Sequence, residues 1–277
     1  MKSHDFSIFN FQFSILMRIT PLNPENQPAA FAYLRTAPYR NALPLSNVTQ
    51  LRARCDAVVA EQRGAVVGVA STYYDLPIPN LTFAAAGGEI VGALLHELAE
   101  RNPHLWEQQT YALLPLDRRD QLARFAHILE APIEYQMAIE PETLDTFDRC
   151  PTRRLTRTDL AEMDELARVA GLTVWHSRAL ALGPAFGCFA DGRLVAMAAT
   201  HFATTDVVEM GYIATHPDHR RRGYASACAA ALAQAAFVLA PRVFLMVMAD
   251  NAPALAAYKR LGFRTIERFY LTRFLLS

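Results

Sequence analysis

"HPDHRRRGYASAC", residues 216–228, sets three consecutive arginines directly before a glycine and an alanine-rich run. The apolar stretch before it, Val207 to Ala214, reads as a strand, and a helix begins near Gly223 or Tyr224. A strand, a tight loop and a helix start bring unpaired backbone N–H groups and the positive end of the helix dipole to one spot. Such a spot suits a phosphate or pyrophosphate. Gly223 and Ala225 leave room for close backbone approach, and the arginines can add charge-assisted contacts. The face that the helix buries is expected to hold Tyr224, Cys228, Ala231, Ala235 and Leu239, spaced at helical intervals.

Working outward, the chain carries an internal repeat. "AVVAEQRGAVVGVASTYY" (57–74) lies without gaps on "AFGCFADGRLVAMAATHF" (185–202) at an offset of 185 − 57 = 128, so that Gly64 meets Gly192 and Thr72 meets Thr200. Each copy reads as a hairpin, an apolar strand on either side of a polar turn with glycine. Both continue as strand, helix, strand, helix, strand. The offset then grows: Leu81 pairs with Glu209 (209 − 81 = 128), but Pro103 pairs with Pro241 (241 − 103 = 138). The residues missing from the first copy fall where the second carries the arginine loop, so the first keeps the scaffold without it. Gly87-Gly88 is its nearest remnant.

These patterns give a mixed α/β class and four segments. Residues 1–16 are an N-terminal extension, for which a misassigned start ahead of Met17 is the preferred reading and an extra edge strand the alternative. Residues 17–140 form the first copy, the proline-containing stretch at 141–152 is a linker, and 153–277 form the second copy. A helix in the second copy is expected to start near Thr158 or Asp159, with Leu160, Met163, Leu166, Ala167 and Ala170 on one face.

Composition narrows the function classes. The 27 Lys and Arg balance 27 Asp and Glu, which argues against a general affinity for nucleic acid or for an anionic membrane. Four widely spaced cysteines, Cys55, Cys150, Cys188 and Cys228, match no zinc spacing and read as free thiols of a cytoplasmic protein. No metal is expected. No GxGxxG follows a strand, which sets the sequence apart from dinucleotide binders.

Arg220-Arg221-Arg222-Gly223-Tyr224-Ala225 fits the pattern Arg/Gln-x-x-Gly-x-Gly/Ala, with "THP" before it and "ADNAPALAAYKRLGF" after it. In this the sequence resembles the GNAT superfamily of acyl-CoA-dependent N-acyltransferases over roughly residues 153–277, and over the first half only through the repeat. The resemblance implies two tandem GNAT-like domains, each a mixed β-sheet flanked by helices, with a degenerate first copy that shapes the acceptor cleft. It implies acetyl-CoA as co-substrate and an amine as acceptor, in a monomer or homodimer.

Carried onto this chain, the resemblance assigns the backbone of Ile213, Ala214 and Thr215 to the thioester and pantetheine. Arg220, Arg221, Arg222, Gly223, Tyr224 and Ala225 take the pyrophosphate, and Asn251 takes the cofactor arm. Tyr258 becomes the proton donor to the departing thiolate. Because an ammonium has no lone pair, a base must take its proton: Glu209 in the strand before the loop is the best candidate, and an ordered water is the alternative. Trp175, His176, Arg178 and His201 are candidates for the acceptor side. The expected activity is transfer of an acetyl or other short acyl group to a primary amine by direct attack. The alternative is a noncatalytic acyl-CoA sensor.

Overall fold

The computed structural model describes residues 17–145 and 150–277. The extension at 1–16 and part of the linker, 146–149, lie outside the described residues. One compact unit runs to Ala131 and regains Tyr270–Ser277; the other is Pro132–Phe269.

The first unit contains β1 (Met17–Pro21), α1 (Gln27–Leu34), α2 (Ala42–Val48), β2 (Cys55–Gln62), β3 (Ala65–Tyr73), β4 (Asn80–Ala85), α3 (Gly88–Arg101), α4 (His104–Glu107), β5 (Thr110–Pro115), α5 (Leu116–Leu122) and β6 (Ala126–Glu130). The second opens with β7 (Ile133–Ile139) and β8 (Thr152–Arg154), then α6 (Leu160–Ala170), α7 (Ala179–Leu182), β9 (Ala185–Ala190), β10 (Arg193–Ala203) and β11 (Val208–Thr215). It continues with α8 (Tyr224–Ala236), β12 (Val243–Met248), α9 (Ala252–Arg260) and β13 (Arg264–Leu276), whose end returns to the first unit.

The repeat is visible in the backbone. Arg63 and Gly64 turn the β2–β3 hairpin at φ +53° and +79°, and Asp191 and Gly192 turn β9–β10 at +49° and +75°. Two consecutive positive φ values give the mirror-image turn whose twist suits a two-residue hairpin. In each unit the second hairpin strand pairs antiparallel with a third strand, which pairs parallel with a fourth (β3–β4–β5 and β10–β11–β12). Each unit is thus a mixed sheet flanked by helices.

The copies differ where the offset grew. Only Ala86 and Gly87 separate β4 from α3, whereas residues 216–223 separate β11 from α8. The space at the start of α3 is also filled, since the Arg124 guanidinium stands 2.5 Å from where a Cβ on Gly88 would lie.

The compact units do not coincide with segments 17–140 and 153–277. Strand pairing rather than chain order decides the grouping. β7 closes the first copy in sequence but pairs antiparallel with β12, from Val243↔Ile139 to Met248↔Glu134. Residues 273–276 of β13 pair with β6. Each unit therefore holds a strand from the other end of the repeat.

The second unit buries both faces of its sheet. On one face Ala229, Leu232, Ala233 and Ala236 of α8 pack with Val208, Met210, Leu245 and Val247. On the other, Met163, Leu166 and Ala167 of α6 pack with Met197, Ala199 and Ala214. Helix α6 starts after Asp159 and stops at Gly171, in the left-handed conformation at φ +79°. The face expected for α8 is corrected: the helix ends at Ala236, Leu239 is exposed, and Ala231 and Ala235 are only partly buried. Alanine on nearly every side lets this helix be buried almost all round, so spacing alone could not fix its orientation.

Candidate active site

β11 and β12 pair in parallel only over Val208↔Val243, Glu209↔Phe244 and Met210↔Leu245. Beyond that row the two strands part, and each keeps its outer partner. Gly211 and Ala214 stay on β10 opposite Ala199 and Met197, while Met246, Val247 and Met248 stay on β7 opposite Gln136, Tyr135 and Glu134. β11 bulges between those two pairs, and Tyr212 carries the strain at φ +47°. A bulge bends its strand and re-aims side chains, here at the place where the sheet opens.

The opening leads into a cleft of about 950 Å³. It is lined by Ile213, Ala214, Thr215, Arg220, Arg221, Arg222, Gly223, Tyr224, Ala225, Asn251 and Tyr258, whereas Glu209 and the acceptor-side candidates Trp175, His176, Arg178 and His201 are not among the lining residues. Gly223, at φ +83°, is the residue before α8, and no side chain caps the helix. The first intrahelical bond is Ala227 N–H to Gly223 O, so the N–H groups of the preceding turn have no partner within the helix. Neither Arg220 nor Arg221 has an ion-pair partner among the described residues. His219 Nδ1 is buried at the lining without a hydrogen-bond partner. The loop thus offers positive charge and unused donors, which fits a pyrophosphate.

Asn251 and Tyr258 sit at the two ends of α9. Asn251 Oδ1 accepts from Ala254 N–H at 3.2 Å, so this oxygen caps the helix and only the amide nitrogen remains to donate elsewhere. Tyr258 packs against Phe263, and burial alone pushes its hydroxyl up to about 12. It therefore stays protonated at neutral pH, as a proton donor must.

Glu209 lies away from this lining. It is 7% exposed, and its Oε1 stands 2.8 Å from His201 Nδ1. The imidazole lies over Gly211, where any Cβ would overlap its Nε2. The His201 ring meets Tyr212 edge-on at 4.2 Å, and Tyr212 meets Trp175 at 5.0 Å. Trp175 Nε1–H donates to Asp164 Oδ1 at 2.7 Å, which ties this aromatic file to α6. His176 and Arg178 hydrogen-bond each other at 2.9 Å.

Glu134 is the residue that sequence reasoning missed. It enters the second unit on β7, and burial pushes its carboxyl up to about 7, with the charge of Glu209 adding to the rise and His201 offsetting part of it. No local signal could have found it, since only strand pairing brings it to this sheet. Among the described residues, no cluster of His, Cys, Asp and Glu could hold a metal ion, and no helix is long and apolar enough to cross a membrane.

Residues 144–263 match the sequence profile of the Acetyltransferase (GNAT) family. No curated protein matches the chain. Among solved structures, a GCN5-related N-acetyltransferase from Sphaerobacter thermophilus is 15% identical with a TM-score of 0.67, over 94% of this chain and 96% of that one. A tandem GNAT protein from the clavulanic acid biosynthesis pathway is also 15% identical with a TM-score of 0.67, over 93% and 98%. A GCN5-related N-acetyltransferase from Kribbella flavida is 20% identical with a TM-score of 0.57, over 75% and 86%. At such identities the likeness is one of fold, and it extends across both units.

Proposed function

We propose that this chain, whose residues 144–263 are a GNAT domain, is a cytoplasmic N-acetyltransferase that moves an acetyl or other short acyl group from acyl-CoA to a primary amine. The observation that carries the reading is one cleft in which the end of β11, beyond its pairing with β12, meets a cationic helix start and a protonated tyrosine. In this reading Arg220 to Arg222 and the N–H groups after Gly223 take the pyrophosphate. Backbone groups of Ile213 to Thr215 that have lost β12 as a partner take the pantetheine arm and polarise the thioester carbonyl. The amide nitrogen of Asn251 donates to the same arm.

The amine nitrogen attacks the thioester carbon, the C–N bond forms, and the C–S bond breaks as the tetrahedral adduct collapses. Tyr258 gives its proton to the departing thiolate. Glu209 serves the base side, where the ammonium must lose a proton before it can attack. Having a thiolate acid and a base side on one chain favours turnover over the sensor reading. The free cysteines agree with a reducing compartment.

The test is release of coenzyme A thiol from acetyl-CoA by the whole chain with a panel of primary amines, including spermidine, lysine, an aminoglycoside and an N-terminal peptide. Amine-dependent release supports the reading. Tight acetyl-CoA binding without release for any amine favours the sensor, and absence of binding rejects both.

A further inference from the structure

Resting on the acyl-transfer reading above, we propose that His201 is the group that takes the proton from the acceptor amine, with Glu209 as the residue that positions it. Three geometric facts carry this. Glu209 is buried and its Oε1 is engaged by His201 Nδ1, so the carboxylate is poorly placed to meet an amine itself. The side chain of His201 is 28% exposed against 10% for Glu209, so the imidazole is the more accessible member. The other ring nitrogen, Nε2, lies against Gly211, the first residue of β11 after its pairing with β12 stops.

The tautomer follows from the partner. A carboxylate oxygen accepts, so Nδ1 carries the proton and donates, which leaves Nε2 of the neutral ring with its lone pair free, over Gly211. Tyr212 packs edge-on against the ring and Trp175 against Tyr212, which fixes the ring plane. Two carboxyl groups face the imidazole, Glu209 from β11 and Glu134 from β7.

The proton inventory balances. Nε2 removes one proton from the ammonium, the freed lone pair attacks the thioester carbon, and the amide nitrogen sheds its surplus proton to solvent. The leaving thiolate takes the Tyr258 proton. The imidazolium's proton then returns to the tyrosinate, directly or through solvent, so the enzyme is restored and the products are amide, thiol and one net proton.

Two acceptors separate this role from simple packing. Spermidine is protonated at pH 7 and must lose a proton to react, whereas hydroxylamine is neutral there. Thiol release with spermidine should fall on the order of 10²-fold or more in His201→Gln, the scale of a positioned proton acceptor, and with hydroxylamine by less than about 10-fold. The acid limb of the spermidine rate profile should also change in the variant. In parallel, ¹⁵N NMR of the histidine side chains should find His201 as the Nδ1–H tautomer in the parent. Glu209→Gln should lose that preference, and Glu209→Asp should keep part of it.

Equal loss with both acceptors, an unchanged spermidine profile, or an Nε2–H tautomer in the parent would each overturn the assignment of His201. A parent that binds acetyl-CoA but releases no thiol with either acceptor or with any amine of the panel overturns the function reading instead.

Discussion

His201 and Gly211 fit together as ring and socket: the imidazole lies where a Cβ on residue 211 would have to be. Gly211→Ala should therefore push the ring off the opening and break its 2.8 Å bond to Glu209. The expected result is loss of most turnover with acetyl-CoA affinity retained, at a stability cost of about 1–3 kcal/mol, typical of overpacking. Calorimetry with acetyl-CoA, thermal melts and thiol release on the one variant would show the split.

Glu134→Gln should act through pH. The carboxyl sits at about 7 in the folded chain against an ordinary value near 4.5, so the folded state holds a proton that the unfolded state has lost between those values. Stability contributed by this group consequently falls as pH rises from about 4.5 to about 7 and stays low above it. The glutamine variant should melt higher than the parent at pH 8, and the two should converge below about pH 4.5.

Asp159 has the opposite sign. A hydrogen bond from Arg153 holds its carboxyl down at about 2, helped by the Thr156 N–H. The stability it adds at the start of α6 is present above the ordinary value of 3.8 and is lost as pH falls through about 2. Asp159→Asn should melt below the parent at neutral pH, with the gap narrowing over that acidic window.

A fragment of residues 150–277 lacks β7, so the outer edge of Val243–Met248 loses its partner. Met246 to Met248 then have no neighbour on either side, because they have already parted from β11. Exposed backbone of this kind pairs with other chains. The fragment should aggregate or remain unfolded, and adding residues 132–140 back as a peptide should improve its solubility. A soluble, monomeric fragment would count against the exchanged strand as a structural requirement.

Sequence reading found what local chemistry encodes. Arg63-Gly64 and Asp191-Gly192 declare their turns because few residues accept positive φ, and the arginine loop declares itself through charge and Gly223. Asn251 and Tyr258 came from the family resemblance, and both line the cleft. Non-local facts stayed hidden. The alternation in "IEYQMAI" (133–139) is that of a strand but says nothing about which strand it pairs with, so the place of Glu134 opposite Met248 could not be read from it. Nor could an aromatic residue at φ +47° be foreseen at Tyr212, because the bulge is imposed by the pairing of β10 with β11. His201 was one polar residue among several until the fold set it against Glu209.

Tyr258→Phe separates binding from chemistry. Without the hydroxyl, acetyl-CoA affinity should hold while turnover falls on the order of 10²-fold or more. Equal turnover would remove Tyr258 from the mechanism and leave the thiolate to be protonated by solvent.

The central claim, that the loop after β11 cradles acyl-CoA, is tested most directly by calorimetric titration of the whole chain with acetyl-CoA, repeated on Gly223→Glu. The substitution puts a side chain at φ +83° and a negative charge at the start of α8. One site per chain, abolished in a variant that keeps the parent's circular dichroism, is the predicted result. No binding to the folded parent, undiminished binding to the variant, or two sites per chain would contradict it.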